Sequence, residues 1–418
     1  MEKEQLRIAM LSIHSNPIGE LGTKDTGGMS VYIRELAREL GRCGHLVDIY
    51  TRLQNSMYQP VIQLFSNVRL IHLGVSNSGN LSKLALFPYL SDFFKSLEKF
   101  RRREGLQYDL IHSHYWMSGQ LGIWAQKLWN RPHVLMLHTI GKEKNRTGVG
   151  IREPEIRINT EKKIIESCHR ILAPTNREKE SLIRFYRAPA HKIGVVPCGV
   201  DLSLFHPSEK KTARNQLGFD ADDIILLYVG RFEPLKGLDR LLDSISYLKH
   251  HTRLRLVIVG GDGDETTESQ FLKQKTKALG IRNKVIFAGR VEQKKLPPYY
   301  GSADVLVVPS YYESFCLVGL EALACGRPVV STPVGVMENL IRESGAGQVV
   351  KDSSPQSMAM GIESIINNFL LPPADKIRKS VLSYCWSNVA MNVLEQYESV
   401  LVQHSFENDH LVSVEASG

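Results

Sequence analysis

Residues 224–250 read I-I-L-L-Y-V-G-R-F-E-P-L-K-G-L-D-R-L-L-D-S-I-S-Y-L-K-H. They form a short β-rich run, a loop with a glycine at each end, and a helical pattern. The same alternation of β-rich runs with helical patterns continues along the chain. It is typical of parallel sheets covered by helices, because parallel neighbours need a crossover connection. This unit therefore predicts a doubly wound α/β fold.

The alternation occupies two halves of the chain. Its runs lie at 6–12, 31–41, 46–51, 110–114 and 134–138, and again at 224–230, 237–250, 254–260, 271–279, 285–288, 305–309 and 329–332. The 418 residues exceed the usual size of one hydrophobic core, so two domains are predicted, at 1–200 and 201–386. A helix at 387–402 is predicted to join the first domain. A loosely ordered tail is predicted at 404–418.

The number and distribution of charged residues indicate which classes of partner to expect. Lys and Arg number 52 against 44 Asp and Glu, a net charge of +8. The cations are dispersed, apart from Arg101–Arg103, which end a helical pattern and suit the negative end of its dipole. Nucleic acid is therefore not expected as a partner, whereas anionic small substrates agree with the charge.

The sequence also predicts a cytoplasmic location. The six cysteines are widely spaced without a C-x-x-C pair, as in a reduced chain. We find neither a signal-peptide core nor a run of eighteen apolar residues. The apolar helical pattern at 89–100 predicts a packed helix, with peripheral contact to an anionic membrane as the less favoured alternative. A homodimer is left open.

Two carboxylates mark a candidate ligand site in the stretch Glu313-Ser-Phe-Cys-Leu-Val-Gly-Leu-Glu321. A helix over 314–324 would separate them by about 12 Å. Carboxylate pairs that hydrolyse glycosides lie closer, about 5 to 9.5 Å apart. The wider spacing suits the two hydroxyl-bearing ends of one ligand, with the positive helix N-terminus and its free amides between them. A nucleoside diphosphate sugar has this layout.

Basic and glycine residues are predicted to complete this site. Arg231 and Lys236 follow the first β-run of the second half, at the sheet edge where α/β proteins bind ligands. Together they could neutralise a departing diphosphate. Gly27-Gly28 precedes the first helical pattern, where paired glycines let the backbone approach an anion. The ligand is expected in the cleft between the two halves.

Two patterns resemble metal-binding motifs, but the residues around them do not favour a metal site. His112 and His114 share one side of a β-run and lack a nearby carboxylate or Cys, so packing or substrate contact is predicted. Asp262-Gly-Asp264 imitates a D-x-D metal motif, yet it lies in a short polar turn where Asp and Gly are favoured for backbone reasons. No metal in the transfer site and no other cofactor are expected.

Together, these motifs resemble the retaining, nucleotide-sugar-dependent glycosyltransferases of family 4, which have the GT-B fold. Glu313–Glu321 resembles the E-x7-E signature of the family, Gly230–Gly237 its G-R-x-x-x-x-K-G motif, and Gly27-Gly28 its first-loop diglycine. The motifs occur in the family's order and cover nearly the whole chain. The resemblance implies a GT-B fold, with two Rossmann-like doubly wound domains facing a central cleft.

Three segments resemble particular groups of enzymes within the family. Residues 25–29, 113–120 and 138–145 are similar to the glycosyltransferases that use D-inositol 3-phosphate in mycothiol synthesis. Sucrose synthase and sucrose-phosphate synthase are similar in the same segments. The acceptor implied by these relatives is a small phosphorylated polyol or sugar.

The resemblance also implies roles for individual residues. The implied donor-binding residues are Gly27, Gly28, Arg231, Lys236, Arg290, Glu313, Ser314, Phe315, Cys316, Leu317 and Glu321. The implied acceptor-binding residues are Lys83, Tyr115, Thr139 and Arg157, with Ser30 where the inositol-phosphate enzymes usually have Asn. The implied catalytic residues are His138, Arg231, Lys236 and Glu313. Within the donor site, Glu313 would hold a sugar hydroxyl, Glu321 the ribose and Arg290 the base, while His138 would steady the transferring sugar.

The predicted reaction moves a hexose from a nucleoside diphosphate, UDP-GlcNAc or UDP-glucose, to an acceptor hydroxyl with retention of configuration. Because Glu313 and Glu321 are predicted to lie too far apart for an acid and nucleophile pair, front-face attack is favoured. The alternatives are a nucleotide-sugar epimerase or hydrolase of GT-B fold, an enzyme like sucrose-phosphate synthase, a mannosyl- or glucosyltransferase with a lipid-linked acceptor, and a non-catalytic sugar-nucleotide sensor.

Overall fold

The computed structural model describes residues 5–21, 26–54, 58–75, 81–261, 266–367 and 371–415. Two sheets, each covered by helices, organise these residues. The first sheet lies between residues 7 and 195 and the second between residues 224 and 349. The doubly wound α/β prediction is confirmed.

The first sheet has eight strands in the order β3-β4-β2-β1-β5-β6-β7-β8. The strands are β1 Arg7–Leu11, β2 Leu46–Arg52, β3 Val61–Phe65, β4 Val68–Leu73, β5 Leu110–His114, β6 His133–Met136, β7 Arg170–Ala173 and β8 Ile193–Val195. The helices are α1 Gly28–Arg42, α2 Leu90–Arg103, α3 Tyr115–Trp129, α4 Gly141–Arg146, α5 Glu155–Ser167 and α6 Asn176–Tyr186. All the neighbours pair in parallel except β3 and β4, which form an antiparallel edge.

The second sheet has six parallel strands in the order β11-β10-β9-β12-β13-β14. The strands are β9 Ile224–Val229, β10 Leu254–Val259, β11 Val285–Gly289, β12 Val305–Val308, β13 Val329–Ser331 and β14 Gly347–Val349. The helices are α7 Lys210–Leu217, α8 Leu238–Tyr247, α9 Thr267–Ala278, α10 Pro297–Ser302, α11 Leu317–Ala324, α12 Met337–Ser344, α13 Pro355–Ile366, α14 Ala374–Lys379 and α15 Trp386–Glu415.

The central strands of both sheets are buried on both faces. All five residues of β5 are buried, and so are all four of β12. Helices on each side explain why such strands are nearly continuous in apolar residues. Their carboxyl ends therefore offer the loops that can carry polar side chains to a ligand.

The last helix returns the chain to the first domain. Tyr397 of α15 bonds to Nδ1 of His112 over 2.7 Å, and Gln396 accepts a hydrogen bond from Nε of Arg170 over 2.8 Å. The helix reaches Glu415, so the predicted end at 402 is too early and the predicted tail at 404–418 is wrong for residues 404–415. The sequence becomes polar after residue 403, which ends the amphipathic pattern, but the helix continues.

Helix α2 directs its apolar side chains into the protein. Leu90, Phe93 and Leu97 are at most 2% exposed, so they contribute to the core of the first domain rather than to a free surface. In the part of the chain that the structure describes, no helix combines the length and the apolar character needed to cross a membrane.

Gly237 is required by backbone geometry at the end of the Gly230–Gly237 loop. Its φ is +66°, and an added Cβ would lie 2.1 Å from the carbonyl oxygen of Pro309. Gly218 has a similar φ of +72°, but an added Cβ there meets nothing within 4 Å. Gly218→Ala should cost about 1–2 kcal/mol from backbone strain alone. Gly237→Ala should cost about 3 kcal/mol or more, because the clash adds to the strain.

Urea unfolding of the two variants measures this difference. Equal losses in free energy of unfolding for Gly237→Ala and Gly218→Ala would contradict the close approach between Gly237 and Pro309.

Candidate active site

A cavity of about 370 Å³ lies between the two domains, lined by loops of both sheets. Most of the predicted site residues line it: Gly27, Gly28, Lys83, Tyr115, His138, Thr139, Arg231, Lys236, Arg290, Glu313, Ser314, Phe315, Cys316, Leu317 and Glu321. Residues from distant parts of the sequence therefore meet in one cleft. Ser30 and Arg157 do not line it.

Two of the cations that the second domain brings to the cleft follow β9, and each lies beside a carboxylate. Nζ of Lys236 lies 2.7 Å from Oε1 of Glu313, which also accepts a hydrogen bond from Ser310 over 2.8 Å. Nη1 of Arg231 lies 2.8 Å from Oε1 of Glu233. Both cations follow β9, whose carboxyl end faces the cleft. The arrangement can present positive charge and a hydrogen-bonding carboxylate to one ligand.

The helix within the two-glutamate segment begins later than predicted. Helix α11 starts at Leu317, so the prediction of a helix over 314–324 is wrong for its first three residues. Cys316 has a φ of 87°, a left-handed conformation that cannot continue a helix. The carbonyl of Phe315 accepts a hydrogen bond from the amide of Val336 over 2.9 Å, which holds the loop in place. The 12 Å estimate assumed a continuous helix and therefore does not apply.

Glu321 lies on α11 and is held by two donors. Tyr300 donates to its Oε2 over 2.6 Å, and Gln293 donates to its Oε1 over 3.1 Å. Burial raises the pKa of Glu321 to about 7. Gln293 also accepts a hydrogen bond from Arg34 of α1 over 3.0 Å. A side chain of the first domain thus reaches the partner of Glu321.

The diglycine lies at a point where the two domains approach each other closely. A Cβ added to Gly28 would meet Cδ1 of Leu317 at 3.3 Å. Nearby, Arg290 pairs with Glu20 of the first domain over 2.7 Å. The N-terminal ends of α1 and α11 therefore face each other across the cleft, and both present backbone amides there.

His138 is a neutral histidine in the wall of the first domain. Its Nε2 shares a hydrogen bond with Nδ1 of His114 over 2.9 Å. Burial lowers the pKa of His138 to about 3, so its ring stays uncharged at ordinary pH. His112, on the same strand as His114, bonds to Tyr397 instead. A neutral His138 can exchange hydrogen bonds with a sugar but cannot supply charge.

Three non-glycine residues that line the cleft have left-handed backbones. They are Tyr115 with a φ of 74°, His138 with 59° and Cys316 with 87°. Such conformations are uncommon and cluster at functional sites, because the surrounding structure must enforce them. Each one turns the chain at the start of a helix or the end of a strand.

Arg157 lies behind the cleft wall and does not line the cavity. It is 0% exposed and is enclosed by Tyr115, Thr139, Glu153 and Glu161. Its Nη1 donates to Tyr115 over 3.0 Å and its Nη2 to Oγ1 of Thr139 over 2.9 Å. It therefore supports two cleft residues from behind, because all three guanidinium nitrogens are directed to protein oxygens.

Ser30 is also buried behind the cleft wall. Its buried hydroxyl exchanges a 2.7 Å hydrogen bond with that of Ser15, and Ser15 lines the cavity. Its position follows from helix geometry, since Ser30 lies on the buried face of α1. The sequence pattern drew attention to Ser30 because it follows the diglycine, and it contained no signal for Ser15.

The sequence patterns missed Tyr312 and Glu178, which join the two walls, and Lys144, which lies on the first-domain wall. Tyr312 accepts a hydrogen bond from the amide of Ile140 over 3.1 Å. Ser314 donates to Oε2 of the buried Glu178 in α6. Lys144 lines the cavity and pairs with Glu153. Lys144 lies in the segment 138–145 that resembles the inositol-phosphate enzymes, which was an available signal, whereas Glu178 had none.

Glu178 should make stability depend on pH. Burial raises its pKa to about 8, with Glu161 and Glu143 acting in the same direction. A carboxyl group whose pKa is raised by folding favours the folded state at low pH, and that contribution is lost as the pH rises through about 8. Glu178→Gln should therefore melt higher than the wild type at pH 9 and close to it at pH 5.

Thermal melting at these two pH values measures this effect, with the exposed Glu180→Gln on the same helix as the control. An unchanged difference between Glu178→Gln and the wild type at both pH values would show that the carboxyl group ionises normally.

The described residues contain one group of three possible metal ligands, formed by His250, His251 and Glu363. None of the three lines the cleft. The Asp262-Gly-Asp264 turn considered from the sequence lies outside the described residues.

Comparisons with known proteins agree on the family. Residues 26–204 match the family described as Glycosyltransferase Family 4, and residues 209–380 match Glycosyl transferases group 1. D-inositol 3-phosphate glycosyltransferase 2 of Catenulispora acidiphila is 37% identical over 376 residues, 88% of each chain. D-inositol 3-phosphate glycosyltransferase of Kineococcus radiotolerans is 35% identical over 421 residues, 96% of this chain and 97% of that chain.

The fold is shared with a solved structure along almost the whole chain. Sucrose-phosphate synthase from Thermosynechococcus elongatus superposes with a TM-score of 0.87 at 28% identity, covering 96% of this chain and all of that chain. The GT-B prediction is confirmed. The chain therefore belongs to the GT-B glycosyltransferases of family 4.

Proposed function

We propose that this glycosyltransferase moves a hexose from UDP-GlcNAc or UDP-glucose to a hydroxyl of a phosphorylated cyclitol, D-inositol 3-phosphate or a close analogue, with retention of configuration. The observation that carries the proposal is a single cleft with cations on both walls. Lys83 and Lys144 lie on the first-domain wall, and Arg231, Lys236 and Arg290 lie on the second-domain wall. Such a cleft suits an anionic donor and an anionic acceptor together.

The donor would lie along the second-domain wall. Arg231 and Lys236 would hold the diphosphate, and the amides near Gly28 and at the start of α11 would add hydrogen bonds to it. Glu313 would accept a hydrogen bond from the hexose and Glu321 from the ribose. This layout is supported by their separate partners, since Glu313 bonds to Lys236 and Ser310 whereas Glu321 bonds to Tyr300 and Gln293.

The chemical step would take place on one face of the sugar. The bond between the anomeric carbon and the diphosphate oxygen breaks, and the acceptor oxygen bonds to the same face. The leaving phosphate oxygen takes the proton of the acceptor hydroxyl. Catalysis would then rest on stabilising the diphosphate charge with preorganised donors, without a metal in the site. His138 would orient the sugar as a neutral hydrogen-bonding partner.

The inositol-phosphate acceptor is preferred over other acceptors for two reasons. The relatives at 37% and 35% identity carry that name and align with most of the chain. The first-domain wall also places Tyr115 and Thr139 together in front of the buried Arg157, a setting suited to an anion. A sugar phosphate is the second candidate acceptor, because the structurally similar protein is a sucrose-phosphate synthase.

Mass spectrometry of reaction products tests the proposal. UDP, GDP and ADP sugars are each incubated with D-inositol 3-phosphate, myo-inositol, sugar phosphates or no acceptor. The expected result is a hexosyl product from a UDP sugar and a phosphorylated acceptor, and little product from myo-inositol. Donor turnover that is unchanged by every phosphorylated acceptor would contradict the proposal, and turnover without an acceptor would favour a hydrolase or epimerase.

A further inference from the structure

Glu153 bridges two cations beside the acceptor wall. Its Oε1 lies 2.9 Å from Nη1 of Arg157, and the same oxygen accepts a hydrogen bond from Nζ of Lys144. Lys144 lines the cleft. One carboxylate oxygen therefore lies between a cleft lysine and the buried arginine that supports Tyr115 and Thr139.

The second carboxylate beside Arg157 is locked in place. Glu161 is 0% exposed and accepts hydrogen bonds from Arg157, from the amide of Gly141 and from Tyr186. Glu153 is 15% exposed, and its carboxylate pairs with Lys144 and Arg157. Of the two carboxylates, Glu153 is the one that can leave.

The backbone of Glu153 need not move for its carboxylate to leave. Its amide donates to Oδ1 of Asn145 over 2.7 Å, and its carbonyl accepts from Nδ2 of Asn145 over 3.0 Å. These reciprocal bonds fix the loop while the side chain remains a flexible two-methylene arm. A change of rotamer is sufficient to release Lys144 and one edge of Arg157.

Charge balance favours such a release. Lys144 and Arg157 carry two positive charges, and Glu153 and Glu161 carry two negative charges, so the group is neutral. A phosphate that entered with Glu153 still in place would add its charge to a balanced, partly buried group.

We propose that Glu153 is an internal substitute for the acceptor phosphate. The phosphate of the acceptor displaces the Glu153 carboxylate, and Lys144 and Arg157 then bind the phosphate. Lys144 is thereby a specificity residue for phosphorylated acceptors. This inference rests on the proposed function, since it concerns the acceptor side of the same cleft.

Calorimetric titration with inorganic phosphate and with D-inositol 3-phosphate, in the presence of UDP, tests the exchange without relying on turnover. Glu153→Gln should lower the Kd of both ligands by about fivefold or more, because the competing charge is gone. Lys144→Met should raise both Kd values by about tenfold, the loss of one hydrogen bond between charged groups. Glu166→Gln, in the exposed Lys162–Glu166 pair of α5, is the control and should change neither Kd.

The outcomes separate this inference from the proposed function. Phosphate binding that is unchanged or weaker in Glu153→Gln, or unchanged in Lys144→Met, overturns the exchange even if the wild type glycosylates D-inositol 3-phosphate. Tighter phosphate binding in Glu153→Gln together with weaker binding in Lys144→Met supports it even if another phosphorylated acceptor is the substrate. Circular dichroism checks that each variant is folded.

Discussion

Replacing Lys236 with Ala should lower kcat by at least about 100-fold, the effect of losing one preorganised donor to a developing negative charge. Lys236 is the cation closest to Glu313 in the second-domain wall, at 2.7 Å. Its ammonium group would stabilise the departing diphosphate in the transition state. The variant should also bind UDP more weakly, since the same charge would contact the diphosphate of the nucleotide. Steady-state turnover and UDP titration measure the two effects.

Two further variants distinguish a specific loss of catalysis from a general loss of structure. Lys249→Ala removes an exposed lysine in the same domain and should leave turnover unchanged. Lys236→Arg keeps the charge but changes its geometry, so it should retain more activity than Lys236→Ala. Near wild-type turnover of Lys236→Ala would show that Lys236 does not stabilise the departing diphosphate.

Replacing Arg157 with Met should destabilise the protein by about 3–5 kcal/mol, because it leaves the buried Glu161 without its cation. Arg157 and Glu161 are both 0% exposed and pair over 2.7 Å. The variant should also weaken acceptor binding, since Tyr115 and Thr139 lose the side chain that holds them. Chemical denaturation gives the free energy of unfolding.

The double variant Arg157→Met with Glu161→Gln should recover part of this loss, because the second change removes the unpaired charge. Arg152→Met removes an 81% exposed arginine just before α5, and its effect should stay within about 0.5 kcal/mol. A loss no larger for Arg157→Met than for Arg152→Met would contradict the buried network around Arg157.

The sequence predicted the fold well where strands are long and apolar. Residues 224–230 and 254–260 match β9 and β10 within one residue, because strands buried on both faces leave continuous apolar runs. The edge strand β3 and the three-residue β8 were not predicted. Short or half-buried strands carry too little pattern to separate them from loops.

The site was predictable where motifs lie at the ends of such strands. Arg231, Lys236 and Glu313 follow strands, and all three line the cleft. The burial of Arg157 could not be predicted, because it depends on partners from three other segments. Helix α11 starts late because Cys316 has a left-handed backbone. The residues around Cys316 did not indicate that conformation.

The proton NMR spectrum of the product formed from UDP-GlcNAc and D-inositol 3-phosphate tests the donor, the acceptor and the stereochemistry together. We expect one new glycosidic linkage to the inositol ring, with the same anomeric configuration as the donor sugar. A product with the opposite configuration, or free sugar without an inositol linkage, would contradict this expectation.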